Sequence, residues 1–153
     1  ALPTLKRLFA GEQVGAAAFH PWTNQRVGPP ILIGAWASGR WVKRAAEGYD
    51  GWMGSGHTTF AEIEEGIKVF RDNGGKRAML MSVTVDLHAT REKLQPDEPL
   101  SLKCGPSEAA DLLHRVQELG YDDVCLVRIG HTEADLTEDD LREIRGLVAR
   151  PNV

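Results

Sequence analysis

Apolar and polar positions alternate along the chain in two rhythms, and the switches between them mark the elements. Ile31-Leu32-Ile33-Gly34-Ala35 is a continuous apolar run introduced by Pro29-Pro30. That is the pattern of a strand covered on both faces, as in a parallel sheet. Ser38 suits the N-cap of a helix running through Arg40 to Glu47, where Trp41 and Ala45 share a face and Gly48 supplies the stop. Trp41 is expected to pack under the sheet. Tyr49-Asp50-Gly51-Trp52-Met53 lies between Gly48 and Gly54-Ser55-Gly56, too short for a helix, and predicts a short buried strand. From Thr58 to Arg71 the period changes: Phe60, Ile63, Ile67 and Phe70 recur at helical spacing, Thr59 and Glu62 have capping-box spacing, and Asn73-Gly74-Gly75 closes the segment.

Ala78-Met79-Leu80-Met81-Ser82-Val83-Thr84-Val85 reads as a strand, followed by a polar, proline-marked loop over residues 86–105. A loop of that length in a compact domain is a lid, a binding loop or a disordered segment. Pro106 fits the first turn of a further helix with Ala109, Leu112, Leu113 and Val116 inward and Gly120 as its stop. Val124-Cys125-Leu126-Val127 predicts a strand with Cys125 buried, and a last helix from Thr137 carries Leu141, Ile144, Leu147 and Val148 up to Pro151. Residues 1–30 form a lead-in with a short helix around Leu5 to Phe9. Gly48-Tyr49-Asp50 and Gly120-Tyr121-Asp122 each precede a strand, and His57-Thr58 and His131-Thr132 each follow one, an echo that fits a shared βα template or common turn chemistry.

Four strands alternating with four helices argue for an α/β fold with a parallel sheet and right-handed crossovers. A whole (βα)8 barrel takes about 250 residues. With 153 residues in one domain, the sheet is either open or half a barrel. At 42% apolar and 26% charged residues, the composition is that of an ordinary globular domain. A net charge of −4 with both signs interspersed offers no basic stripe for nucleic acid and no polybasic membrane patch. Cys104 and Cys125 lack a CxxC or a matching His pair, so no metal site is expected and a reducing, cytoplasmic setting is. No apolar run approaches a membrane span or a signal-peptide core. The chain begins at Ala1, which fits truncation as well as routine removal of methionine.

Several segments in order resemble the luciferase-like monooxygenase family of flavin- or deazaflavin-dependent oxidoreductases. They are Pro29-Pro30-Ile31-Leu32-Ile33-Gly34-Ala35-Trp36, Arg44-Ala45-Ala46-Glu47-Gly48-Tyr49-Asp50-Gly51-Trp52-Met53, Cys104-Gly105-Pro106-Ser107-Glu108 and Gly120-Tyr121-Asp122-Asp123-Val124. The resemblance spans roughly residues 20–148 and implies the C-terminal half, about four βα units, of a TIM-type (βα)8 barrel. It implies FMN or a deazaflavin as cofactor, NAD(P)H as a compatible co-substrate, and a small-molecule substrate. The first four barrel strands would then come from a missing N-terminal half or a second copy of the chain, and a homo-oligomer is expected. The alternative reading is a non-catalytic half-barrel that assembles with another chain.

In parallel barrels the loops beyond the C-terminal strand ends hold the chemistry. Gly34, Ala35 and Gly39 are small enough for close backbone approach, Ser38 offers a hydroxyl, a helix start follows, and Arg40 adds charge. An ordinary capped strand-to-helix junction would look the same. The resemblance implies that Ala35, Trp36, Ser38, Gly39 and Arg40 fall on the loop that contacts the cofactor phosphate. Trp36 and Trp52, near the ends of successive strands, suit the walls of a flavin ring, and core packing explains them equally well. His57 and His131 are candidates for proton donors or substrate contacts, against the commoner surface or capping histidine. Asp86 with His88 could form an oriented base, and Glu133 to Asp140 reads as a solvated helix start. No Gly-x-Gly-x-x-Gly or Walker sequence is present. Hydride chemistry in such proteins belongs to the cofactor, so the lack of an obvious dyad or triad weighs little.

Overall fold

The structure is a computed structural model that describes residues 2–20, 28–37, 39–86, 95, 97–128 and 138–148. The chain divides into two compact units, Ala1–Ile31 and Leu32–Val153. In the first unit, helix α1 (Leu2–Phe9) begins ahead of the Leu5 indicated by the pattern and buries Leu8. The Phe9 and Phe19 rings pack at 5.4 Å, and Gly28, at φ +77°, lies so close beneath Phe9 that no Cβ would fit.

The second unit is a parallel α/β sheet. Its order is β1 (Leu32–Gly34), α2 (Arg40–Gly48), β2 (Gly51–Ser55), α3 (Phe60–Asp72), β3 (Ala78–Val85), β4 (Ser101–Leu102), α4 (Pro106–Glu118), β5 (Asp123–Arg128) and α5 (Glu138–Val148). Among the described residues the named strands pair in parallel throughout, with isolated antiparallel bridges at Val14–Ala17 and Thr59–Pro99. β5 runs along one edge of β3 from Met79 to Val85, so β2 and β4 must share the other edge end to end, β2 beside Ala78 to Met81 and β4 beside Thr84 and Val85. β4 lies inside the segment read as loop. Two residues are too few for a period to show, yet they bury Leu102 next to Leu100, whose amide donates to the Thr58 carbonyl at 2.8 Å.

Register separates the two faces of the sheet. Trp52 lies opposite Ala78, and Gly54 opposite Leu80, on the face that meets the helices. Val83 and Val85 of β3 join them, packed against Ile63, Ile67 and Phe70 of α3 and Leu112, Leu113 and Val116 of α4. The alternation of a strand sends Met53, Met79 and Met81 to the opposite face with Ser55 and Thr84, all half-buried. Between Leu80 and Val83 the register slips through a bulge where Ser82 takes φ +61°, a left-handed conformation uncommon for a residue with a side chain.

Trp52 is fully buried at the centre of the helix-facing layer. Its ring meets Phe70 at 5.7 Å and Tyr121 at 5.9 Å, and its Nε1–H donates to the Ala35 carbonyl at 3.1 Å. Two glycines make room for it: a Cβ on Gly54 would come within 2.9 Å of the indole, and one on Gly66 within 2.5 Å of the Ala37 carbonyl and 2.9 Å of the indole. The Tyr121 hydroxyl donates to the Ile63 carbonyl at 3.1 Å, and burial pushes its pKa well up.

Two positions depart from the sequence pattern. Trp41 is 45% exposed, because Val42 and Ala45 form the buried stripe of α2 and a neighbouring position is turned by about 100° from it. The Arg44 guanidinium lies 5.0 Å from its ring centre instead. Cys125 is half-buried, since Val124 and Leu126 take the helix-facing positions of β5.

At the N-terminal ends of the strands, Asp122 accepts from the Ala78 amide at 2.7 Å and from Arg71 Nη2 at 2.9 Å. Arg71 also donates to the carbonyls of Gly75, Lys76 and Gly120, tying the end of α3 to the starts of β3 and β5. Partial desolvation raises the Asp122 pKa, but the Ala78 amide and Arg71 outweigh it and hold the carboxyl below its usual range. A depressed folded pKa contributes stability above the unfolded value, and that stability is lost as pH falls through the folded one. Asp122→Ala is therefore expected to cost roughly 1–3 kcal/mol at neutral pH, with the difference from the parent shrinking below about pH 4. Urea unfolding over a pH series reads this, and a cost that stays constant to pH 2 would contradict it. Trp52→Ala, measured in the same way, is expected to cost about 3–5 kcal/mol, and a loss below about 1 kcal/mol would show that Trp52 is not the hub of the layer.

Candidate functional site

The C-terminal ends of β1 and β2 lie side by side, Gly34 paired with Met53. The strand geometry of β1 continues one residue further, where the Ala35 amide donates to the Met53 carbonyl at 3.1 Å. Trp52 holds the Ala35 carbonyl from the helix side, and Ala37 is buried against Gly66 of α3. The loop is thus pinned at two points, and Trp36 between them is 65% exposed. Gly39 precedes α2 at φ +102° and ψ −178°, a conformation that favours glycine, with open space where a Cβ would stand.

Helix N-termini carry unsatisfied amides and a positive dipole end, and most are closed by a side chain. Of the starts of α2, α3 and α4, that of α3 is closed by a side chain, whereas α2 and α4 each follow a glycine with no side-chain cap. At α3, Thr59 and Glu62 close a reciprocal capping box. The Thr58 hydroxyl, then the Thr59 amide and hydroxyl, lower the Glu62 pKa. At α4, Pro106 removes a donor and Glu108 supplies an acid in the first turn. At α2, Gly39 gives no side-chain cap, the first turn holds no acid, and Arg40 stands at the first helical position with its side chain exposed. Arg40 lies 5.9 Å from the Trp41 ring centre. Lys43 pairs with Glu47 at 3.6 Å on the surface, a contact worth little.

Beyond β2, Ser55 is half-buried and its hydroxyl accepts from the His57 amide at 3.1 Å. Gly56 donates to the Met81 carbonyl and passes so close to β3 that a Cβ would lie 2.6 Å from that oxygen. His57 itself is exposed. The Asp86 amide donates to the Leu102 carbonyl at 3.2 Å, which brings the end of β4 to the end of β3.

Ala35, Trp36 and Gly39 therefore lie between β1 and α2, Arg40 opens α2, and His57 follows the neighbouring strand at the same end of the sheet. Trp52, expected as an aromatic wall, is enclosed on the helix side and reaches the loop only through the Ala35 carbonyl. Ser38, His88 and His131 lie outside the described residues, as does most of the acidic run before α5. From Glu138 onward, Arg142 bridges Glu138 and Asp139 at the surface. Sequence reasoning missed the bulge at Ser82 and the close pass of Gly56. The only signals for them were a serine amid apolar strand residues and a glycine in a glycine-rich turn. Among the described residues no group of His, Cys, Asp and Glu side chains could hold a metal ion. The start of α2 joins amides without a side-chain cap to the exposed Arg40.

No family model and no curated protein matches the sequence. Among solved structures, the chain is similar to an F420-dependent secondary alcohol dehydrogenase in complex with an F420-acetone adduct. The TM-score is 0.61 at 12% identity, over 97% of this chain and 60% of that one. The likeness is one of fold: a parallel α/β sheet forming part of a TIM-type barrel, spanning three fifths of the neighbour's length.

Proposed function

We propose that the chain is the C-terminal half of a luciferase-like (βα)8 oxidoreductase and supplies the phosphate-binding side of a deazaflavin or flavin site. The observation that carries this reading is the start of α2. Unlike α3 it has no side-chain cap, and unlike α4, which shares that lack, it has no acid in its first turn and carries a cation at the first helical position. It also stands at the C-terminal strand ends, where barrels of this kind keep their chemistry. The fold likeness to a protein holding an F420-acetone adduct supports the choice of cofactor class.

The residues fit such a group in charge and shape. The amides around Gly39 and Arg40 donate to a phosphate, the Arg40 guanidinium adds charge, and the Ser38 hydroxyl is next to them in sequence. The exposed Trp36 ring offers a flat apolar surface to the tricyclic part. Trp52 positions that loop through Ala35 without touching the ligand. When bound, the cofactor supplies hydride transfer to or from a small-molecule substrate, with NAD(P)H as the co-substrate in an FMN version. On this reading His57, which is exposed beyond the adjacent strand, gives or takes a proton at the substrate. The rest of the pocket comes from further strands outside this chain.

Titration of the chain with F420 and with FMN, alone and with an N-terminal half-barrel added, should quench ring fluorescence for one of them. Arg40→Ala should weaken that binding roughly 10- to 100-fold, the worth of one charge-assisted contact. Quenching by neither cofactor under either condition would overturn the reading, as would unchanged affinity in the Arg40 variant.

A further inference from the structure

Ser82 takes φ +61°, whereas the six other described residues with a positive φ are all glycine. Glycine enters that region without steric cost, so a serine there keeps its side chain against the preference of its backbone. Its neighbours hold it in place. Leu80 pairs with Val124 and Val83 with Leu126, so Met81 and Ser82 together stand opposite the single Cys125. From the other side Gly56 closes over this bulge. Its amide donates to the Met81 carbonyl, and a Cβ on it would lie 2.6 Å from that oxygen and 2.9 Å from the Val83 amide nitrogen. A strained residue persists only where its surroundings fix it in this way, and such residues gather at ligand sites.

The place of the bulge in the sheet points the same way. Leu80 and Val83 are buried in the helix-facing layer, which leaves Met81 and Ser82 to the other face, both half-buried. In a parallel barrel that face is the interior. Ser82 follows Met81, the register partner of Ser55 at the end of β2, and so lies level with the turn that leads to His57. β3 stands two strand spacings from β1, roughly 10 Å, a separation on the scale of a three-ring system. The Ser55 hydroxyl is engaged by the His57 amide, whereas that of Ser82 has no hydrogen-bond partner among the described residues. Bulges beside active sites re-aim a side chain, and here the side chain that is re-aimed is a hydroxyl.

We infer that Ser82 is a ligand contact, its hydroxyl donating a hydrogen bond to a carbonyl on the ring of the bound flavin or deazaflavin. The inference rests on the oxidoreductase reading and adds a contact at the ring, away from the phosphate. Ser82→Gly and Ser82→Ala, titrated with F420 and with FMN by ring fluorescence, alone and with an N-terminal half-barrel added, test it beside Arg40→Ala. Both Ser82 variants should weaken binding of the cofactor that quenches by about three- to tenfold, the worth of one neutral hydrogen bond. Ser82→Gly, relieved of strain, should also melt about 1–3 °C above the parent, and Ser82→Ala, which keeps the strain, should not. Unchanged affinity in both Ser82 variants, with Arg40→Ala still weakened, would overturn this inference and leave the phosphate reading standing. A Ser82→Gly chain that melts below the parent would also overturn it, by showing that the side chain serves the fold. Quenching by neither cofactor in the parent would overturn both readings.

Discussion

One indole organises the second unit. Trp52 sits where β2 meets α3, and its single polar atom reaches the carbonyl of Ala35 in the loop after β1. A buried tryptophan must satisfy its N–H, and here the acceptor is the backbone of the segment that would face a ligand. The space for the ring exists because residues 54 and 66 are glycine, and the latter also lets Ala37 pack directly on α3. Remove the ring and the loop loses both its hydrogen bond and the surface beneath it. Core packing and site geometry are thus one arrangement, with Trp36 left facing solvent because its neighbours on either side are held down.

The opposite end of the sheet has a different task. Asp122, Arg71 and the start of β3 form a hydrogen-bonded clamp between α3 and the incoming strands. It lies at the N-terminal ends of the strands, the end that in parallel barrels serves stability. The acid at Asp122 does there what capping residues do at helices: it satisfies the first amide of β3, which would otherwise open the ladder. The sequence echo between Gly48-Tyr49-Asp50 and Gly120-Tyr121-Asp122 does not extend to backbone conformation. Gly120 adopts φ +100°, whereas Gly48 ends α2 without a positive φ.

The elements with a long period were legible from the pattern alone. Ile63, Ile67 and Phe70 of α3, and Ala109, Leu112, Leu113 and Val116 of α4, are buried as their spacing required. The parallel sheet followed from the order of strands and helices. What escaped was set by tertiary contact. Whether an indole packs or faces solvent depends on a rotation of about 100° per residue along a helix, so Trp41 and Val42 exchanged roles. Trp52 reads as well for a ligand wall as for a core, and only the register with Ala78 places it among the helices. The bulge at Ser82 and the two-residue β4 leave no period to detect.

The central claim is that the loop held by Trp52 presents a helix start able to take an anion. The most direct measurement is a proton–nitrogen correlation spectrum of the labelled chain during titration with inorganic phosphate and then with F420. The account predicts progressive shifts confined to the amides of Gly39, Arg40 and Trp41 and their immediate neighbours. Shifts centred elsewhere, or none at saturating ligand, would contradict it.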